Sequence, residues 1–127
     1  SGKPLVLGIR ENIPRISEKF FILFFKLIWG VSDPLCGMKG YNLENLPKDI
    51  TTYKFSSCGM QSVIGMLENN NSFSEIKVLI NDRIDNSPRY GGTIKANIKI
   101  FKSLILCMYF VIVLRFSKLI LGYKSKK

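Results

Sequence analysis

Asp33-Pro34-Leu35-Cys36-Gly37-Met38-Lys39-Gly40-Tyr41-Asn42 is the stretch around which the chain is organised. It joins an acid, a Pro that fixes the backbone, two Gly that permit tight bends and a cation within one short segment. A purely structural turn needs fewer of these at once. An apolar helix-like run precedes it and an α/β-like pattern follows.

Before it, Leu5 to Leu7 reads as a short buried strand, with Gly8 opening a turn that carries Arg10. Ser17 is the expected N-cap of the next helix, with Glu18 near its positive end. The helix runs through Phe20-Phe21-Ile22-Leu23-Phe24-Phe25 to Trp29, and Gly30 is its expected stop. At roughly 20 Å it is too short for a bilayer core of about 30 Å. Its apolar residues point almost all round, so it is expected to sit in a core and partly at an interface, with Lys19 and Lys26 reaching outwards.

After it, Leu43 to Tyr53 is expected to begin as a helical turn and become a loop around Pro47. Ser57 to Glu68 places Met60, Val63, Ile64 and Leu67 on one helix face, with Gly59 and Gly65 marking close packing. Ile76 to Ile80 carries a strand signal, and Asn81 to Gly92 reads as a polar loop. Ala96 to Leu121 is one long helix candidate, entered through Lys95, Lys99 and Lys102 and left through Arg115 and Lys118. Its uninterrupted apolar run, Leu104 to Leu114, covers roughly 17 Å, about half a bilayer core. Interfacial, buried and membrane-spanning placements are all compatible with that length. A span sets Arg115 and Lys118 at a cost unless they reach the headgroups. The tail Lys124-Ser125-Lys126-Lys127 suits anionic headgroups or a solvated terminus.

The 127 residues suit one core. The formal charge of +10 calls for an anionic partner. The nine Phe gather with Leu, Ile and Lys, which favours a membrane surface. Nucleic acid is disfavoured, because the aromatics lie inside apolar runs and do not alternate with cations. With no His, the usual Ser or Cys nucleophile pairs are excluded and a zinc site is disfavoured. No P-loop or dinucleotide glycine motif is present. Cys36, Cys58 and Cys107 read as free thiols of a reducing compartment. The opening Ser1-Gly2-Lys3-Pro4 has no Met and no leader-like layout, as expected of a processed chain or a piece of a longer one.

What remains for chemistry is Asp33 with Arg10, Lys39, Arg83, Arg89 and Lys95, and glycines Gly37, Gly91 and Gly92 that allow close backbone approach. Arginine suits phosphate because its fork bonds two oxygens at once. Each feature also has a plain reading: an Asp-Pro turn, surface charges, a solvated hairpin, simple backbone bends.

The order of these features resembles the C-terminal half of a family 2 glycosyltransferase of the polyprenyl-phosphate (dolichol-phosphate) type. Gly8-Ile9-Arg10 resembles that family's strand ending in Gly-x-Arg. Asp33-Pro34-Leu35-Cys36-Gly37-Met38-Lys39-Gly40-Tyr41 resembles its Asp-Pro-x-x-Gly-x-(Arg/Lys)-x-(Tyr/Phe). Glu75-Ile76-Lys77-Val78 is similar to its following strand. Arg89-Tyr90-Gly91-Gly92-Thr93-Ile94-Lys95 resembles its Arg-x-x-Gly-x-Ser-Lys loop, with Ile94 in place of Ser and Thr93 as the neighbouring hydroxyl. The likeness spans roughly residues 4–115.

The resemblance implies an α/β fold that is the C-terminal part of a GT-A type domain over residues 1–95. Residues 96–127 then form a membrane-proximal helix and basic tail. It implies a hexosyltransferase moving sugar from a nucleotide sugar to a polyprenyl phosphate or saccharide acceptor, on the cytoplasmic side of a membrane and peripheral to it. Arg10, Arg89 and Lys95 would hold phosphate, with Arg83 as understudy to Arg89, and Asp33 would be a base or orient a cation at the acceptor end. No cofactor is implied for this chain. Mg²⁺ or Mn²⁺ is expected with a separate nucleotide-sugar-binding half, because no Asp-x-Asp occurs here and Asp82-Arg83-Ile84-Asp85 has the wrong spacing. The chain alone is then expected to be inactive. The other reading is a non-enzymatic basic module that binds anionic membranes.

Overall fold

The computed structural model describes residues 2–13, 15–48, 59–69, 72–80 and 93–124. The chain is mixed α/β, with a small three-stranded mixed sheet and a long C-terminal helix. In order come β1 (Leu5–Arg10), α1 (Ile16–Trp29), β2 (Lys39–Tyr41), a single 3-10 turn (Leu43–Asn45), α2 (Met60–Glu68), β3 (Phe73–Val78) and α3 (Thr93–Lys124).

Strand β1 is central. It pairs antiparallel with β2, Leu5 opposite Tyr41 and Leu7 opposite Lys39. It pairs parallel with β3, from Leu5 opposite Phe73 to Arg10 opposite Val78. A parallel neighbour cannot be reached by a hairpin, so α1, β2 and α2 all lie on the excursion between the two strands. Leu5 and Leu7 point into the core, where they meet Phe21 and Phe25 of α1, Val63 and Ile64 of α2, and Leu104 and Cys107 of α3.

Several elements differ from expectation. Gly8 does not turn the chain; β1 runs through it to Arg10. Its role is spatial. A Cβ at Gly8 would lie 2.8 Å from Cys36 Sγ, 2.8 Å from Val78 Cγ2 and 3.1 Å from Met38 Cβ. The Asp33 stretch therefore closes directly onto the strand, and the Gly8 N–H donates to the Met38 carbonyl at 2.9 Å. That stretch is also not all loop: Lys39–Tyr41 is the edge strand β2. Strand β3 lies earlier than Ile76–Ile80, because β1 offers partners only from Leu5 to Arg10 and Leu79 and Ile80 fall past its end.

Ser17 is not the cap of α1. Arg15 holds that position, with no side-chain cap among the described residues. Ser17 is the buried second residue of α1, its hydroxyl donating to Asn97 Oδ1 of α3. Gly30 ends α1 as expected, left-handed at φ 77° with its N–H on the Lys26 carbonyl. The expected face of α2, Met60, Val63, Ile64 and Leu67, is buried, and so are Gly65 and Met66. Its expected first residues, 57 and 58, lie outside the described residues, as does the whole of the expected loop of 81–92.

Helix α3 is 32 residues long. It is long and apolar enough to associate with or span a membrane, and its apolar window is only 22% buried against the protein.

Candidate functional site

The first functional cluster forms at the C-terminal end of β1, where the strand delivers Arg10 next to the Asp33 turn. Asp33 is 1% exposed. Arg10 Nε donates to its Oδ2 at 2.8 Å, Arg10 Nη2 to Oδ1 at 2.9 Å, and the Arg10 backbone N–H to Oδ2 at 3.0 Å. This is a forked, charge-assisted pair, the strong geometry for guanidinium and carboxylate. The bonds to Asp33 hold the Arg10 guanidinium above its ordinary pKa, against the opposing effect of burial.

Helix α1 brings a second carboxylate to the same end. Glu18 is 5% exposed, with Oε2 3.6 Å from Arg10 Nη1 and Oε1 3.4 Å from Arg15 Nη1. Its Oε2 finds no hydrogen-bond partner among the described residues. Arg10 is thus placed between two buried acids, one bonded at close range and one by charge alone.

The neighbouring turn is held from the other strand. Glu75 of β3 accepts from the Ser32 N–H at 2.6 Å and from the Ser32 hydroxyl at 2.9 Å. Lys39 of β2 reaches back to the Cys36 carbonyl at 2.6 Å. Every strand of the sheet therefore contributes to fixing the 32–39 segment.

The structure joins Arg10 and Asp33 in a way that sequence reasoning did not foresee, since each occupies the other. Both carboxylate oxygens of Asp33 accept from Arg10, so acting as a base, or freeing Arg10 to clamp a phosphate, would first require opening the pair. Lys39 sits on the same turn. Gly37 is exposed and a Cβ there would meet nothing within 4 Å among the described residues, which leaves the backbone approachable. Lys95 is exposed on the first turn of α3. Arg83, Arg89, Gly91 and Gly92 lie outside the described residues. No group of three His, Cys, Asp or Glu side chains able to hold a metal occurs among the described residues.

A second cluster was missed. Glu68, the last residue of α2, accepts from Trp29 Nε1 at 3.0 Å and from Arg115 Nη2 at 2.9 Å. Lys118 donates to the Glu68 carbonyl and to Asn69 Oδ1. The ends of α1 and α2 are thereby fastened to α3. The signal was present as Arg115 at the close of an apolar run, a cation that needs a partner there. Nothing in the spacing pointed to Glu68. For Glu18 the sequence offered only a helix-dipole role, because its meeting with Arg10 depends on how α1 lies on β1.

Comparison with protein-family models, with curated proteins and with solved structures finds no match to this chain.

Proposed function

We propose that this chain is the acceptor-side, C-terminal portion of a glycosyltransferase with a partial GT-A type fold, acting peripherally at the cytoplasmic surface of a membrane. The observation that carries the reading is the closure of the Asp33 turn onto the end of β1, with Lys39 on the turn and an apolar, membrane-competent helix in the same small fold. The motif order of the polyprenyl-phosphate sugar transferases supports the same reading. The acceptor phosphate is ionised at neutral pH and needs little base catalysis. Asp33 therefore serves best by holding Arg10 and the turn in place, while Lys39, Lys95 and Arg89 supply charge to the phosphate. By the same resemblance, Mg²⁺ or Mn²⁺ and the nucleotide sugar belong to a separate nucleotide-sugar-binding half, because no Asp-x-Asp occurs in this sequence. Free Cys36 and Cys107 fit the cytoplasmic face.

The second reading, a basic module for anionic membranes, is favoured by one observation: Asp33 is fully engaged by Arg10. A single experiment separates the two. Vesicles carrying a polyprenyl phosphate are compared with vesicles of equal surface charge made with phosphatidylglycerol. The transferase reading expects tighter binding to the polyprenyl phosphate, reduced in Lys39→Ala. It also expects sugar transfer to lipid only when an Asp-x-Asp half is added. Equal binding to both vesicles, with no effect of Lys39→Ala, would leave the membrane module alone.

A further inference from the structure

Helices α1 and α3 lie side by side and run the same way. Ser17 near the start of α1 meets Asn97 near the start of α3. The rings of Phe20 and Phe101 stand 5.7 Å apart. At the far end Trp29 and Arg115 share Glu68. Both helices bury one face, Phe21 and Phe25 on α1, Leu104, Cys107 and Val111 on α3. Both leave the opposite face apolar and open. On α1 it is Ile16, Phe20, Leu23 and Leu27, with Leu27 77% exposed. On α3 it is Ile98, Phe101, Ile105, Ile112, Phe116 and Leu119, with Leu119 74% exposed. These spacings of three, four and seven keep each set on one side of its helix.

Charge follows the same plan. Lys19 and Lys26, seven apart, follow one edge of the α1 stripe, and Lys95, Lys99 and Lys102 border the first turns of the α3 stripe. An apolar stripe bordered by lysines is the pattern of a helix lying in a membrane interface. The chain's formal charge of +10 is complementary to anionic headgroups.

We infer that α1 and α3 together form one docking face for an anionic lipid bilayer, with α3 lying in the plane of the interface and not across it. The inference rests on the membrane association proposed above and not on sugar transfer. The physical ground is the fastening of α3 along its length. If α3 stood across the bilayer, α1 would enter beside it, taking in Glu18, Lys19 and Lys26 as well as the Glu68–Arg115 clamp. Charged groups at bilayer depth are strongly disfavoured. Laid flat, the same packing presents to lipid the two apolar stripes together with the exposed Leu106, Met108 and Tyr109 beside them, without drawing the charges of α1 to bilayer depth.

The test uses the full chain with vesicles of phosphatidylcholine, alone or with phosphatidylglycerol. Flotation is expected with the anionic vesicles and to weaken about tenfold in each of Phe20→Ser and Leu27→Ser, exposed positions whose loss does not open the core. A fluorescent amino acid is then placed singly at Ile98, Ile105 or Ile112, and its depth is read with lipids brominated at graded positions. In-plane docking expects equal depths. A helix crossing the bilayer would spread those depths over roughly 20 Å and overturn the inference while keeping membrane association. Unchanged flotation of the α1 variants would overturn the shared face. No flotation, with a concentration-dependent dimer in its place, would assign the face to a second copy and remove the membrane from both readings. Preference for polyprenyl phosphate is a separate readout, so the transferase reading stands or falls by itself.

Discussion

The two ends of α1 solve the same problem differently. At its start, Arg10 forks onto a carboxylate that is 0% exposed, with its own side chain only 16% exposed. At its finish, Arg115 meets Glu68, 8% exposed, while its own side chain is 54% exposed. The first pair lies inside the protein and joins a strand to a turn. The second lies at the surface and joins helices. Burial decides what each is worth. Breaking a buried pair leaves an uncompensated charge, whereas a pair open to water is screened and replaced by solvent at little cost. The Arg10–Asp33 pair therefore shapes the fold, and the Arg115–Glu68 pair sets how α3 is oriented against it.

The sharpest way to break this contrast is Asp33→Ala. It orphans the Arg10 guanidinium and a backbone N–H together, and a loss of about 3 kcal/mol is expected. Urea unfolding measures it. A loss no larger than that of Glu68→Ala would mean that the buried pair has no special weight. Asp33→Asn, which keeps an acceptor for the backbone N–H, is expected to retain part of the stability.

Gly8→Ala comes next. The added methyl would overlap Cys36 Sγ and Val78 Cγ2, both 2.8 Å away, so overpacking of about 2 kcal/mol is expected. Combining it with Val78→Ala opens one side of the clash and should restore part of the loss. Additive losses in the double variant would show that Val78 of β3 does not pack against Gly8.

These two positions also show what the sequence made legible. The face of α2 and the stop at Gly30 were readable because both depend on neighbours within a few residues: helical spacing and a left-handed cap. The α/β class and the importance of the Asp33 stretch were readable from residue types. Gly8 was not, because its constraint comes from Cys36 and Val78, which reach it only after the chain has folded back. The limits of β3 were misread for the same reason: its frame is set by where β1 ends, and Glu75, polar by composition, is accommodated by Ser32. Within the candidate site Arg10 and Asp33 were both singled out, yet as separate groups facing a ligand. That they face each other is a fact of tertiary packing.

A smaller effect is expected at the exposed end. Arg115→Met, which keeps the packing of the side-chain stem, should cost about 0.5 kcal/mol in urea unfolding. A loss matching that of Asp33→Ala would erase the distinction between the two pairs.

The smallest expected effect is a flat line. Hydrogen bonding to Asp33 raises the Arg10 pKa in the folded protein above its ordinary value. A raised basic group contributes stability that is fully present below its unfolded pKa and is lost only as pH climbs through the folded one. Arginine's ordinary range already lies above about pH 12, so both limits fall beyond mild alkali. The stability difference between the native chain and Arg10→Met should therefore stay constant from about pH 7 to about pH 10. Taking the difference cancels whatever titrates alike in both proteins. A slope in the difference would mean that Arg10 shares its charge with a group titrating there, and the buried pair would then not be the closed Arg10–Asp33 fork that the geometry shows.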